Sequence, residues 1–140
     1  MSTPNVNVQP AVATVGRVLL GSLFLISGIQ KLFVPTMIQG YIASVGLPFP
    51  SLVYAITVVI EIGAGALLLV GFRTRLMAWI LAVFTVAAAL LFHRAFGDPN
   101  QAVHFMKNVA IAGGLLHVAA LGAGAFSLDG YTLESRRSPA

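Results

Sequence analysis

The stretch YAITVVIEIGAGALLLVG, from Tyr54 to Gly71, is apolar and close to the length that crosses a bilayer as one helix. It contains a single charged residue, Glu61, with mostly apolar residues on both sides. A charge at the centre of such a segment costs about 2.5 to 3.5 kcal/mol on membrane-insertion scales. Glu61 therefore requires a partner or a function, and the rest of the chain should supply one.

The composition indicates an integral membrane protein. Of the 140 residues, 58% are hydrophobic and only 9% are charged, and the mean hydropathy is +0.92, far from the balance of a soluble domain. Eight Lys and Arg residues against four acidic ones give a net charge of +4, but they form no basic block that would bind nucleic acid. The expected partner of the surface is therefore a lipid bilayer.

The lack of cysteine limits the chemistry of the chain. Thiolate nucleophiles, disulfide exchange, iron–sulfur ligation and thioether attachment of haem are excluded for this chain alone. A haem ligated by His117 would need a second histidine at a similar depth, and the sequence has none. His93 and His104 flank one loop but lack acidic ligands nearby, so we expect no metal site.

Four apolar segments each approach the roughly 20 residues that a membrane helix needs, at 11–33, 51–71, 75–93 and 103–125. They predict an all-α fold, an antiparallel four-helix bundle in the membrane that forms a single domain over residues 1–140. Between the first two segments, VPTMIQGYIASVGLPFP predicts a short helix at the membrane interface. Residues 1–10 and 126–140 are polar tails, and we expect the second tail to be mobile. The start of the chain lacks the basic residues of a secretory signal, so the first segment should remain as a membrane helix.

The basic residues near the ends of the segments predict the orientation. The side that would hold both termini carries the larger number, namely Arg17, Arg73, Arg75, Arg136 and Arg137. The opposite side carries Lys31, Arg94 and Lys107. Because basic residues concentrate on the cytoplasmic side, we expect a multi-pass protein of the bacterial inner membrane with both termini in the cytoplasm.

The polar and small residues of the segments follow helical stripes. On the first segment, steps of three and four residues connect Arg17, Gly21, Phe24, Gly28 and Lys31. On the second segment the same steps connect Tyr54, Thr57, Glu61, Gly65 and Leu68. Since small residues permit close approach of helices, we expect these two stripes to meet inside the bundle. Arg17 and Lys31 lie roughly 21 Å apart along the helix, so each can reach toward Glu61 from its own side.

The other two segments differ in polar content. The fourth carries His104, Lys107 and Asn108 on one face near its outer end. Lys31 and Lys107 should lie at a similar depth because their helices run antiparallel. The third segment offers only Thr85 within its apolar body, and we expect it to be the most lipid-facing of the four.

Two interpretations of Glu61 remain open on these residues. In the first, it forms a buried ionic lock with Arg17 or Lys31 that fixes the helix register. In the second, it is a proton-handling carboxylate in a pocket. Both interpretations place Glu61 in the interior of the bundle.

Three stretches together resemble the DoxX family of small four-span membrane proteins: GRVLLGSLFLISGIQKLF, EIGAGALLLVGFRTRL and MKNVAIAGGLL. The family is named through a subunit of a thiosulfate:quinone oxidoreductase, and similar proteins are described as membrane members of oxidoreductase complexes with superoxide dismutase and a sulfurtransferase. The resemblance implies that the polar core of the family corresponds here to Arg17, Lys31, Glu61, Lys107 and Asn108.

The leading hypothesis is a quinone-linked oxidoreductase component that acts on quinones or small sulfur oxyanions together with a partner. Glu61 would relay protons, Lys31 and Lys107 would contact a quinone carbonyl or an oxyanion, and four residues would bind or orient the ligand: Arg17, Asn108, Tyr54 and His104. Electrons would come from the substrate, from a soluble redox partner protein or from a further cofactor.

One alternative is a non-catalytic scaffold that recruits soluble redox enzymes. A less favoured one is a carrier, since the chain has no repeated halves. A homo-oligomer is compatible with each of these.

Overall fold

The structure, a computed structural model, describes residues 8–137, and that part of the chain is built from helices without strands. The second span, Pro50–Val70, is one continuous rod made of α3 (Pro50–Val59), a π-helical turn (Ile60–Ala64) and α4 (Gly65–Val70). The other helices are α1 (Val8–Leu32), α2 (Pro35–Ser44), α5 (Thr74–Phe92), α6 (Pro99–Leu121) and α7 (Leu128–Arg137). Four of these rods are long and apolar enough to cross a membrane: α1, the second span, α5 and α6. The predicted all-α fold with four spans and a short helix after the first is confirmed.

Local sequence signals determine where the helices begin and end. Proline lies in the first turn of α2, of the second span and of α6, where its missing N–H needs no partner. The carboxylate of Asp98 accepts a hydrogen bond from the Asn100 N–H at 2.9 Å and caps α6. Gly122, with φ 89°, ends α6 in a conformation that favours glycine. The fourth span therefore begins and ends earlier than the predicted segment 103–125, because the Asp98 cap and Gly122 override hydropathy.

The four spans form a closed bundle in which each contacts two neighbours, in the cyclic order α1, second span, α5, α6. The two predicted stripes face each other across the contact between α1 and the second span. A Cβ atom at Gly21 would lie 2.7 Å from the Leu69 nitrogen, and one at Gly65 would lie 2.9 Å from the Leu25 nitrogen. Any side chain at these two glycines would therefore force the backbones apart.

Helix α5 is the most buried span, which contradicts the expectation that it faces lipid most. In its most apolar segment 33% of the residues are buried, a larger share than in the corresponding segments of the other three spans. Its buried residues are mainly small or aliphatic: Thr74, Met77, Ala78, Leu81, Ala82, Thr85 and Ala89. The alanines recur at helical spacing and let α6 pack closely. Hydropathy does not distinguish such a packing face from a lipid face, so the prediction was wrong.

The C-terminal segment, predicted to be a mobile polar tail, contains the helix α7 (Leu128–Arg137), whose first turn is attached to the bundle through Asp129. The Asp129 carboxylate accepts hydrogen bonds from the backbone N–H of Arg73 at 2.9 Å and of Thr74 at 2.8 Å. The Asp129 N–H in turn donates to the Gly71 carbonyl at 2.9 Å. A residue distant in sequence thus caps the start of α5 and anchors α7.

The anchoring of α7 should depend on pH through Asp129. Burial alone would raise the pKa of this carboxyl, but the hydrogen bonds from Thr74 and Arg73 and the charge of Arg17 outweigh it, so its pKa is lowered. A lowered carboxyl pKa adds stability above the ordinary aspartate value of about 3.9, and that stability is lost as the pH falls through the native pKa. We therefore expect α7 to detach from the bundle in acid.

The measurement is hydrogen exchange of the α7 amides in the detergent-purified protein between pH 7 and pH 3, corrected for the intrinsic exchange rates. The Asp129→Asn variant should show weakened protection of α7 already at pH 7, because the neutral amide is a poorer acceptor for the two N–H groups. Equal protection of α7 at both pH values in the parent protein would contradict this prediction.

Candidate functional site

Lys31 is the partner of Glu61. The Lys31 Nζ donates a hydrogen bond to Glu61 Oε1 at 3.0 Å and lies 2.8 Å from Oε2. The Ser27 hydroxyl accepts from Lys31 Nζ at 2.7 Å and donates to Glu61 Oε1 at 3.2 Å. The Lys31 ammonium thus contacts both carboxylate oxygens, and its contact to the buried Oε2 is an ion pair whose angles fall outside those of a hydrogen bond. Glu61 itself is only 5% exposed.

The backbone around Glu61 is unusual. Residues Ile60–Ala64 form a π-helical turn inside the second span, and such turns occur frequently at functional sites. Gly28 of α1 lies directly against this turn. A Cβ atom at Gly28 would lie 2.7 Å from Ile62 Cγ1 and 2.9 Å from Glu61 Cβ. The absence of a side chain at Gly28 thus lets Glu61 approach α1 closely enough to meet Lys31.

The other half of the pair is also held in place. Lys31 lies in the last turn of α1, where a cation interacts favourably with the helix dipole. The Lys31 carbonyl at that helix end accepts hydrogen bonds from the Tyr54 hydroxyl at 3.1 Å and from the Val34 N–H at 3.3 Å. Tyr54 therefore fixes the backbone that carries the ammonium group.

The ion pair lies on the wall of a cavity of about 330 Å³ inside the bundle. Its polar lining residues are Ser27, Lys31, Tyr41, Thr57, Glu61, Thr85, His93 and Asn108. The remaining lining residues are aliphatic or aromatic: Leu23, Phe24, Ile38, Ile42, Phe84, Ala88, Phe92 and Ile111. An apolar cavity with a few convergent polar groups is typical of small-molecule sites.

The short helix α2 closes one side of this cavity. It contributes Ile38, Tyr41 and Ile42 to the lining. The Tyr41 hydroxyl donates to the Phe92 carbonyl at 3.0 Å, and the two rings stack with centroids 5.5 Å apart. The predicted interfacial helix is therefore tied to the end of α5 and forms a wall of the site.

The structure brings together some of the predicted site residues and separates others. Lys31, Glu61 and Asn108 line the cavity. Tyr54 does not line it, but its hydroxyl donates a hydrogen bond to the Lys31 carbonyl. Lys107 is exposed and does not line the cavity, so the expected convergence of Lys31 and Lys107 is absent. His104 is also exposed, but its ring stacks on the lining residue His93 with centroids 5.1 Å apart. Residues 8–137 contain no group of three potential metal ligands around this pair.

Arg17 lies away from the cavity and contacts the backbone. It is 1% exposed, and its guanidinium donates to four carbonyl groups, those of Leu68, Leu69, Ala123 and Phe126. These bonds join α1 to the end of the second span and to the link before α7. The question whether Arg17 or Lys31 pairs with Glu61 is thus decided in favour of Lys31.

Three residues of the site did not stand out in the sequence as ligand-binding candidates: Ser27, Tyr41 and His93. Ser27 precedes Lys31 by four residues, which places both on one helix face, and this spacing was the available signal. Tyr41 belongs to the short helix outside the four spans, and His93 follows the end of α5. Periodicity within the spans therefore could not predict that Tyr41 and His93 lie near Glu61.

The sequence of the chain is similar to a family model and to two curated proteins. The DoxX family model matches residues 12–94. The inner membrane protein YqjF of Escherichia coli K12 is 36% identical over 115 residues, covering 82% of this chain and 87% of the relative. The inner membrane protein YphA of the same organism is 36% identical over 127 residues, covering 86% of this chain and 90% of the relative. No solved structure matches the chain significantly. The protein belongs to the DoxX family.

Proposed function

We propose that the cavity binds the head group of a quinone and that the protein serves as a membrane component of a quinone-linked redox reaction. The observation that carries this proposal is the buried Lys31–Glu61 pair on the wall of a largely apolar cavity. An ionic lock alone would leave the cavity beside the pair unexplained.

The cavity suits a quinone ring in size and lining. Its volume of about 330 Å³ lies at the small end of the range for ligand pockets, near the size of a single substituted ring. A quinone ring is flat and largely apolar, with two carbonyl acceptors. Phe24, Phe84 and Phe92 supply apolar walls, and Lys31 and Asn108 supply N–H donors.

The charge of the site favours a neutral ligand over a sulfur oxyanion. Lys31 and Glu61 neutralise each other, and Lys107 does not line the cavity. The oxyanion hypothesis depended on an excess of positive charge from both lysines. With that excess missing, an anion would have to displace Glu61 from Lys31, whereas a carbonyl group needs only a donor.

Reduction of a quinone takes up two electrons and two protons. Glu61 can hold one proton at the buried Oε2, and Lys31 stabilises the carboxylate after that proton has left. The apolar walls lower the local dielectric constant and strengthen both interactions. The second proton and both electrons come from a reduced substrate, from a soluble partner or from a further cofactor.

We also propose that the protein resides in a bacterial inner membrane with both termini in the cytoplasm. The names of the two relatives support the membrane, and the basic turn with Arg73 and Arg75 supports the orientation. The test is a pair of reporter fusions, one at Ala140 and one in the loop at Asp98. A periplasm-only reporter should be active only at Asp98, and activity at Ala140 would reverse the orientation.

Two adjacent residues of α6 provide a test of quinone binding. Asn108 lines the cavity, whereas its neighbour Lys107 is exposed. We expect the purified protein to bind a short-chain ubiquinone analogue, Asn108→Leu to weaken binding about tenfold through the loss of one hydrogen bond, and Lys107→Met to leave it unchanged. Calorimetric titration gives the affinities, and thermal unfolding shows that each variant is folded. A parent protein that binds no quinone would favour the scaffold, and equal losses in both variants would place the ligand elsewhere.

A further inference from the structure

A second cavity lies at the opposite end of the bundle from the Lys31–Glu61 pair. It is an open groove of about 670 Å³ between the start of α5 and the segment that joins α6 to α7. Arg73, Arg75 and Leu76 form one side, and Gly122, Gly124 and Leu133 are among the residues of the other. The quinone cavity, by contrast, is lined by Phe92 and His93 at the far end of α5. The groove is therefore separate from the site proposed above.

The groove carries an excess of positive charge. Arg73 and Arg75 are both exposed and both line it. The one carboxylate among its described lining residues, Asp129, already accepts hydrogen bonds from the backbone N–H groups of Arg73 and Thr74. Among the side chains that the structure describes, neither guanidinium forms an ion pair. Within the described side chains, the groove therefore carries more positive than negative charge, which favours an anionic ligand.

The position of Arg75 depends on the shape of the link after α6. Gly122 has φ 89°, and a Cβ atom at this residue would lie 3.6 Å from Arg75 Nε and 3.7 Å from Nη2. The guanidinium thus lies near Gly122 at the edge of the groove. A planar guanidinium held in this way presents paired N–H donors that match the oxygens of a phosphate group.

The apolar part of the groove indicates which kind of anion fits. Three leucines line it beside the arginines and remain largely exposed, with exposed fractions of 48% for Leu76, 71% for Leu121 and 62% for Leu133. Trp79, one turn beyond Arg75 on α5, is 53% exposed, as expected for a side chain at the level of lipid head groups. A soluble anion would not contact these apolar side chains, whereas a lipid would cover them with its acyl chains.

We propose that this groove binds an anionic phospholipid, with Arg73 and Arg75 contacting its phosphate group and the three leucines contacting its acyl chains. Basic pockets between membrane helices bind lipid head groups in this manner. The proposal is independent of quinone binding, because no residue of the groove lines the quinone cavity. It also gives a function to the fold of the C-terminal segment, which completes the groove.

The test uses the full chain, purified in a neutral detergent and freed of lipid. Thermal unfolding is followed with added phosphatidylglycerol, phosphatidylcholine or inorganic phosphate. The double variant Arg73→Gln/Arg75→Gln removes both cations, and Arg94→Gln removes an exposed arginine beyond the other end of α5 as a matched control. At about 1 kcal/mol for each basic residue, we expect the apparent affinity for phosphatidylglycerol to fall about thirtyfold in the double variant and to stay unchanged in Arg94→Gln.

Each outcome decides the proposal. Stabilisation by phosphatidylglycerol but not by phosphatidylcholine, lost in the double variant, supports it. Stabilisation by both lipids alike, or by phosphatidylglycerol equally in the parent and the double variant, overturns it. Inorganic phosphate that stabilises as strongly as the lipid would overturn the lipid as the ligand. If the double variant does not fold, the variant Arg73→Lys/Arg75→Lys replaces it, and we expect this variant to keep part of the preference for phosphatidylglycerol. A parent protein that shows no preference for phosphatidylglycerol over phosphatidylcholine would overturn the proposal in either case.

Discussion

Replacing Arg17 with Met should destabilise the protein more than any other single change considered for this bundle, by about 3 to 5 kcal/mol. The guanidinium is 1% exposed and donates to four backbone carbonyls. Its removal takes a donor from each of these carbonyls; that of Leu68 keeps the Gly71 N–H at 3.1 Å, whereas those of Leu69, Ala123 and Phe126, which are partly buried, lose the guanidinium. Each acceptor left without a donor away from water costs about 1 to 3 kcal/mol before relaxation. The end of the second span and the link before α7 would separate from α1 together.

Thermal unfolding of the purified variants in one detergent measures this effect. Arg17→Lys keeps the charge but has no planar set of donors, so we expect it to recover only part of the stability. Leu19→Met, a change of similar volume at a residue that is 66% exposed on the same helix, should be nearly neutral. An Arg17→Met protein as stable as the parent would mean that the guanidinium does not hold these segments together. Quinone binding by Arg17→Lys should match the parent, because Arg17 does not line the cavity.

The contact between α1 and the second span was predictable because helical spacing contains the needed information. Steps of three and four residues placed Gly21, Gly28 and Lys31 on one face of α1 and Glu61 and Gly65 on one face of the second span. In the structure these faces meet, and the glycines lie at the closest approaches. The spacing limited the partner of Glu61 to Arg17 or Lys31, and the structure decides in favour of Lys31.

Other features depend on differences too small for a periodicity argument. Adjacent residues on a helix point about 100° apart, and the sequence alone does not decide which of two neighbouring polar residues faces inward. Asn108 lines the cavity and Lys107 does not. The π-helical turn at Ile60–Ala64 adds one residue to a turn without any change in apolar composition. The Asp129 cap of α5 joins residues more than 50 positions apart, and no local pattern announces it.

Exchanging Lys31 for Met and Glu61 for Gln, singly and together, should separate the two interpretations of the ion pair. Each single change leaves one buried group without its counter-charge, and we expect it to lower the free energy of unfolding by about 1 to 3 kcal/mol. The double variant Lys31→Met/Glu61→Gln contains no unpaired charge. Most of the stability should therefore return, and the difference from additivity gives the coupling energy of the pair.

Stability alone does not distinguish a lock from a site, because both predict the same recovery in the double variant. Quinone binding does distinguish them, since a lock needs only a stable bundle, whereas a binding site needs the ammonium group of Lys31 as a donor and the carboxyl of Glu61 as a proton carrier. We expect the double variant to unfold near the temperature of the parent protein and to bind the quinone analogue at least tenfold more weakly, through the loss of a charged hydrogen-bond donor. A double variant that recovers both its stability and its quinone affinity would reduce the pair to a lock. Lost affinity in a bundle of native stability would leave Lys31 and Glu61 with a role in the ligand site, because no change in folding remains to explain the loss.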